Sequence, residues 1–301
     1  METQNTKQQI LTYSAALFTT LLWASAFPAT RYILEFYSPE SVMVLRFTTA
    51  SITLIIVGII KKIRLPKLKD MPWFLASGLS GVFLYSYLFN TGSQEVVAGV
   101  SSFIIASAPV FTLLLSRIFL KEKIKLISWI GVVVSFCGLA AVTLSQVTEF
   151  AFNFYVFLII CCAVLFGFFN IIVRAITKKY TALEATTYTV IVGTLAIFIF
   201  IPHLVREMPT TTLPVNLLAI LMGLFPSALG FLSWSYALAT AKKTAHVTVF
   251  AYLIPFISML IAYLWLGETL TIYALIGGII IIMGMVLTNI NGEKNQRDDR
   301  K

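Results

Sequence analysis

The charged residues of this chain stand too far apart for a water-soluble fold. Between successive Asp, Glu, Lys or Arg lie nine uncharged intervals of more than twenty residues: 8–30, 71–94, 96–116, 126–148, 150–173, 185–205, 208–241, 244–267 and 269–292. A tenth apolar segment, 41–60, is interrupted only by Arg46. A helix needs about 20 mostly apolar residues to cross about 30 Å of hydrocarbon. The interval 208–241 is too long for one helix and too short for two. Its start, Met208 to Asn216, holds three Thr and two Pro, so its helix is expected to begin near Pro214. The spacing therefore predicts an all-α integral membrane protein with ten transmembrane helices. Closed β-barrels also satisfy every backbone group in lipid. They require alternating polarity, and runs such as Ile52 to Ile60 and Ile276 to Met283 do not alternate. Composition agrees: charged residues make up 12% of the chain, against about 25% in soluble domains.

A net charge of +9 raises the question of nucleic acid, and the distribution answers it. With the N-terminus in the cytoplasm, the inner loops and tails hold nineteen of the twenty-two Lys and Arg. The outer loops hold only Arg31 and Arg206, while Arg46 lies within a span. This is the positive-inside bias of a multi-pass cell-membrane protein. Both termini are expected in the cytoplasm, with the basic tail from Lys294 to Lys301 as an orientation signal rather than a nucleic-acid arm. The first ten residues are polar and lack a signal-peptide pattern, so the first apolar segment is expected to stay as a helix. Cys137, Cys161 and Cys162 all fall inside predicted spans without metal-ligand spacing. They read as packing residues.

The chain repeats itself. Pro109 to Gly138 overlays Pro255 to Gly284 without gaps at an offset of 146, matching Leu120 to Leu266, Glu122 to Glu268 and Gly131 to Gly277. At an offset of 149, Gly81, Ser86 and Tyr87 meet Gly230, Ser235 and Tyr236. At 143, Trp23, Phe27 and Arg31 meet Phe166, Asn170 and Arg174. The unit therefore holds five helices, over 11–146 and 153–290. Five is odd, so the second copy is expected to enter the membrane from the opposite face. Inverted repeats are a recurrent plan of secondary transporters.

The residues Trp23-Ala-Ser-Ala-Phe-Pro28, Arg46-Phe47, Ala108-Pro109 and Leu120-Lys-Glu122, with Pro255 and Leu266-Gly-Glu268 in the second half, carry a family resemblance. Over nearly its whole length the chain resembles the drug/metabolite transporter superfamily, specifically its EamA-type members with two five-helix repeats. The Trp-Gly and Gly-Glu common in that family read Trp23-Ala24 and Lys121-Glu122 here. The resemblance implies an exporter or exchanger of amino acids, other metabolites or drugs, and leaves a multidrug efflux carrier as an alternative.

Helical spacing separates a cavity face from a packing face. In the third span Ser80, Tyr87 and Thr91 form one stripe and Gly78, Gly81, Tyr85 and Gly92 another. In the eighth, Ser233, Tyr236 and Thr240 face one way and Ser227, Gly230, Trp234 and Ala237 the other. Small residues allow close helix approach, so the glycine-bearing stripes read as packing. Tyr87 and Tyr236 then read as substrate contacts. In the first span Trp23 and Phe27 share a stripe with Thr20 and Thr30, and its counterpart in the sixth is Phe166 and Asn170. A mid-span Trp and a buried amide both favour a wet cavity. Arg46 is the one charge well inside a span, where a partner is expected. It either holds a substrate carboxylate or snorkels outward to Glu35 or Glu40. The second reading is preferred, since Glu40 lies roughly 9 Å away along the axis. Glu122 and Glu268 read as turn-stabilising residues.

No span contains a mid-membrane Asp or Glu, which favours a facilitator or exchanger over a carboxylate-based proton antiporter. There is no His-Glu-x-x-His run, no acid cluster and no Walker-type phosphate loop. No enzyme, metal or cofactor is expected. The partners are a small-molecule substrate and the lipid bilayer, with a channel and a homo-oligomer left open.

Overall fold

Every element in the described residues is helical, with no strand among them. The computed structural model describes residues 2–96, 98–122, 124–144, 154–266 and 272–290. The helices are α1 Glu2–Ile33, α2 Pro39–Ile60, α3 Met71–Gly78, α4 Tyr85–Glu95, α5 Ala98–Ile105, α6 Ala108–Phe119 and α7 Leu126–Leu144. There follow α8 Phe154–Ile176, α9 Ala182–Ile197, α10 Ile201–Glu207, α11 Leu213–Met222, α12 Phe231–Thr240, α13 Ala245–Thr248, α14 Leu253–Leu266 and α15 Ile272–Ile290. Among the described residues, six helical runs are long and apolar enough to cross a membrane: Thr6–Ile33, Pro39–Ile60, Ser101–Phe119, Phe154–Ile176, Ala182–Thr210 and Leu213–Thr240. Shorter apolar helices cover Leu126–Gly138, Ala245–Ser258 and Ile276–Thr288.

Local chemistry marks the helix starts. Ser38 caps α2, accepting from the Ser41 amide, with Pro39 and Glu40 in the first turn. Proline at that position loses no intrahelical bond. Thr181 and Glu184 form a reciprocal capping box at the start of α9. Beside the Thr181 cap, Lys179 Nζ and Tyr180 OH donate to the Asp70 carboxylate at 2.8 and 2.9 Å. Those two bonds hold the Asp70 carboxyl below its ordinary value.

Two helices widen in mid-course. Leu79–Leu84 joins α3 to α4, and Gly223–Gly230 joins α11 to α12, each as a π-helical segment. Pro226 lies within the second. The turn at Ala106–Ser107 separates α5 from α6 just before Pro109, and a 3₁₀ turn over Val249–Tyr252 precedes α14 and Pro255. Proline cannot continue the donor ladder, and Pro109, Pro226 and Pro255 each lie within or just after one of these segments, whereas Pro28 lies inside the unbroken α1 and Leu79–Leu84 holds no proline.

Close approach is made by small residues. A Cβ at Gly131 would lie 2.7 Å from the Gly284 carbonyl, and one at Gly138 would lie 2.7 Å from that of Gly277. Rising numbers in α7 meet falling numbers in α15, so these helices pack antiparallel. Antiparallel contact also joins α2 to α9, where Ser51 Oγ donates to Thr194 Oγ1 at 2.8 Å and Gly58 lies against Thr187. The glycine stripe of α3 and α4 packs as its spacing predicts: Gly78 on Gly193, Gly81 under the Phe169 ring, Gly92 on Ile159. Large apolar side chains such as Ile56, Ile59, Ile118, Leu264 and Ile279 remain exposed on the outside, as a lipid-facing surface requires. Gly138→Leu is expected to force α7 off α15 and cost about 1–3 kcal/mol. Thermal unfolding in detergent checks it: the midpoint should fall, while lipid-facing Val133→Leu should leave it unchanged.

Candidate substrate-binding site

The centre of the bundle is an aromatic cluster pinned by three polar links. Trp23 of α1 donates Nε1–H to the Pro226 carbonyl at 3.1 Å. Its ring meets Phe166 at 5.3 Å, Trp234 at 5.0 Å and Phe231 at 5.8 Å between centroids. One turn along α8 from Phe166 lies Asn170, fully buried. Its Oδ1 accepts from Trp234 Nε1 at 2.8 Å and its Nδ2 donates to Thr112 Oγ1 at 3.1 Å. The amide is thus matched on both ends, as its depth demands. Tyr85 completes the ring of aromatics, its centroid 5.9 Å from Phe166.

Arg46 enters the same neighbourhood from α2. Its Nη2 donates to Ser227 Oγ at 3.2 Å, one residue beyond the carbonyl that holds Trp23. Arg46 does not reach Glu35 or Glu40, because its side chain lies inward across Ser227 rather than along the helix toward the loop. The snorkelling pair expected from spacing is therefore corrected: the partner is a hydroxyl 181 positions away in sequence.

The other expected contacts spread along the bundle. Phe27 packs edge-on against Phe89 at 5.4 Å, about one turn beyond Trp23. Tyr87 stacks on Phe200 at 5.7 Å, on the flank of the cluster. Tyr236 lies near the start of α1, where Gln8 Nε2 donates to its hydroxyl at 3.4 Å. The structure thus brings Trp23, Phe166, Asn170 and Arg46 together, with Tyr87 and Tyr236 apart from them. Tyr85 and Trp234, assigned by spacing to packing stripes, belong to the central cluster. Their stripes do pack, with Gly81 under the Phe169 ring and Trp234 fully buried, so the spacing marks the packed face and not the cluster that this face joins.

Two further charged residues close one end of the bundle. Glu122 accepts from the Thr244 amide at 3.2 Å and from Thr244 Oγ1 at 2.7 Å. Arg174 donates to the carbonyls of Leu238, Ala239, Ala241 and Lys242, capping α12. Glu268 lies outside the described residues.

Comparison with known proteins assigns the architecture. The sequence matches the EamA-like transporter family over residues 10–144 and again over 153–290. The chain belongs to this family. As an EamA-like protein of the drug/metabolite transporter type, it is a multi-pass membrane transporter of small molecules and not an enzyme. It is 33% identical over 275 residues to a probable terminal-alkyne amino-acid exporter of Streptantibioticus cattleyicolor, covering 91% of this chain and 92% of that one. An uncharacterized transporter of Bacillus subtilis, YdfC, is 31% identical over 274 residues, with 91% and 89% covered. A solved crystal structure shares the fold at a TM-score of 0.77 and 16% identity, over 95% of this chain and 98% of that chain. In this EamA-like bundle the Trp234–Asn170 bond is expected to be structural. Trp234→Phe keeps the ring and removes the donor, which should cost about 1–3 kcal/mol by leaving Asn170 Oδ1 unpaired. A lowered thermal midpoint checks this; an unchanged one would show that the amide finds another partner.

Proposed function

We propose that the protein is a secondary transporter of ten transmembrane helices, arranged as two inverted five-helix repeats over 11–146 and 153–290. In this reading α3 with α4, α5 with α6, α9 with α10, α11 with α12, and α13 with α14 each form one span. Both termini lie on the cytoplasmic face of the cell membrane, by the basic bias of the loops on that side. The substrates are amino acids or related compounds, exported or exchanged.

The observation that carries the proposal is that repeat-equivalent residues touch each other. Trp23 and Phe166, 143 positions apart and matched by the internal repeat, have centroids 5.3 Å apart. Ser51 and Thr194, also 143 apart, share a hydrogen bond of 2.8 Å. Gly131 meets Gly284 and Gly138 meets Gly277, a crossed pairing of matched positions. Such self-contacts are what a two-fold axis in the membrane plane generates, and one half can then adopt the shape of the other.

The two ends of the bundle differ in a way that fits this exchange. Toward the cytoplasm Arg174 caps α12 through four carbonyls, and Thr12 Oγ1 pairs with Thr240 Oγ1 at 2.8 Å. At the other end the repeat-equivalent Arg31 reaches a single carbonyl, that of Val96, at 3.5 Å. Trp23, Phe166 and Asn170 form the centre of the proposed path, with Phe27 further out, Tyr236 at the inner mouth and Tyr87 on the flank. The name of the Streptantibioticus relative supports amino acids as the class. The aromatic cluster keeps a multidrug efflux carrier as the second reading.

Counterflow in proteoliposomes against an amino-acid panel tests the proposal. Exchange that saturates with substrate is expected, and flux linear in concentration would mark a channel instead. In the same assay Glu122→Gln should leave transport and its pH dependence largely intact, because Glu122 serves the Thr244 turn. Loss of proton-driven flux with exchange preserved would make Glu122 the coupling site.

A further inference from the structure

Among the described residues Arg46 is the one charged residue at the level of the aromatic cluster, and it is only 9% exposed. Its side chain donates to Ser227 Oγ, a neutral acceptor. Its Nε is buried without a partner. The ion pairs among the described residues, Arg64 with Glu184 and Lys179 with Asp70, lie elsewhere. A guanidinium desolvated this far retains its charge only at a cost unless an anion neutralises it, and intramembrane ionisable groups mark substrate or ion routes. The residue that approaches Arg46 electrostatically is the Tyr85 phenol, itself a donor and not a counter-ion at neutral pH.

We infer that Arg46 receives the carboxylate of the transported molecule. This rests on the transporter reading above and narrows it to carboxylate-bearing substrates with an apolar remainder. The unpartnered Nε–H and the guanidinium edge beside it offer the parallel donors that a carboxylate takes in bidentate fashion. Pro226 and Ser227 fix the geometry: consecutive residues of one π-helical segment hold Trp23 and Arg46. A carboxylate on Arg46 therefore has Phe47, whose ring centroid lies 5.7 Å from the guanidinium carbon, and the Trp23 cluster held by the adjacent Pro226 as apolar surroundings for the rest of the molecule. Ser227 is the positioning residue, aiming Nη2 and leaving Nε free.

The test uses the full-length protein in proteoliposomes preloaded with L-leucine, with L-leucine, 4-methylpentanoate, L-leucinamide and 3-methylbutylamine as external competitors. Both carboxylates should compete at least about tenfold better than the amide and the amine, because a site built for a hydrogen-bonded group rejects analogues lacking it. Arg46→Lys should keep that preference with weaker competition, and Arg46→Gln should erase it. Equal competition by leucinamide in the unaltered protein overturns the inference, as does a preference that survives Arg46→Gln. If Arg46→Gln does not fold, Arg46→Lys decides: the carboxylates should compete several-fold more weakly with the amide and the amine unchanged, and an unchanged carboxylate series overturns the inference. A chain that exchanges no amino acid of a wide panel overturns the amino-acid reading beneath the inference, whereas exchange without carboxylate preference overturns only the role of Arg46.

Discussion

Lipid offers no partner to a free backbone carbonyl, so each break in a spanning helix must be repaired by a neighbouring side chain. The structure depends on these repairs. Pro28 has no amide to give the Ala24 carbonyl one turn back, and Ser258 Oγ of α14 donates there instead, at 2.7 Å. Pro226 sits in a widened turn whose carbonyl is taken by Trp23 Nε1. Thr19 Oγ1 reaches the Gly230 carbonyl at 3.2 Å, and Cys162 Sγ reaches that of Tyr85 at 3.5 Å. Each repair crosses between helices distant in sequence. Local irregularity and tertiary packing are therefore one phenomenon here: the bends exist because another helix supplies the missing bond.

The same logic places the site where the helices are widest. Irregular backbone at membrane depth is tolerated where it is buried in protein or lines a cavity, and both π-helical segments flank the Trp23–Phe166 contact. Asn170 shows what a polar group must do to live there, accepting on one end and donating on the other. Arg46 has found only a hydroxyl, and that difference in satisfaction separates a structural polar group from a receptive one.

Much of the architecture was legible before any coordinates. Hydrocarbon thickness sets a minimum length for an uncharged run, so the spacing of charges announced a bundle of spanning helices. Glycines at 78, 81 and 92 announced the close approaches. The glycine-bearing stripes of the third and eighth spans do pack, and what spacing could not show is that Tyr85 and Trp234 on those stripes pack into the central aromatic cluster, with Tyr87 stacked on Phe200 instead. Arg46 was misjudged for a related reason: sequence proximity offered Glu40, while the actual acceptor, Ser227, lies in the other half of the chain.

The proposed transport cycle is an exchange between the two halves, the closure around Arg174 trading with the looser contact of Arg31. Paired spin labels test it most directly. One pair would sit at exposed Glu35 and Glu95, the other at exposed Lys178 and Lys242, in an otherwise cysteine-free protein in lipid. The account predicts reciprocal changes on addition of a transported substrate, the first pair shortening as the second lengthens. Two distance distributions that stay fixed while the labelled protein continues to exchange substrate would contradict it.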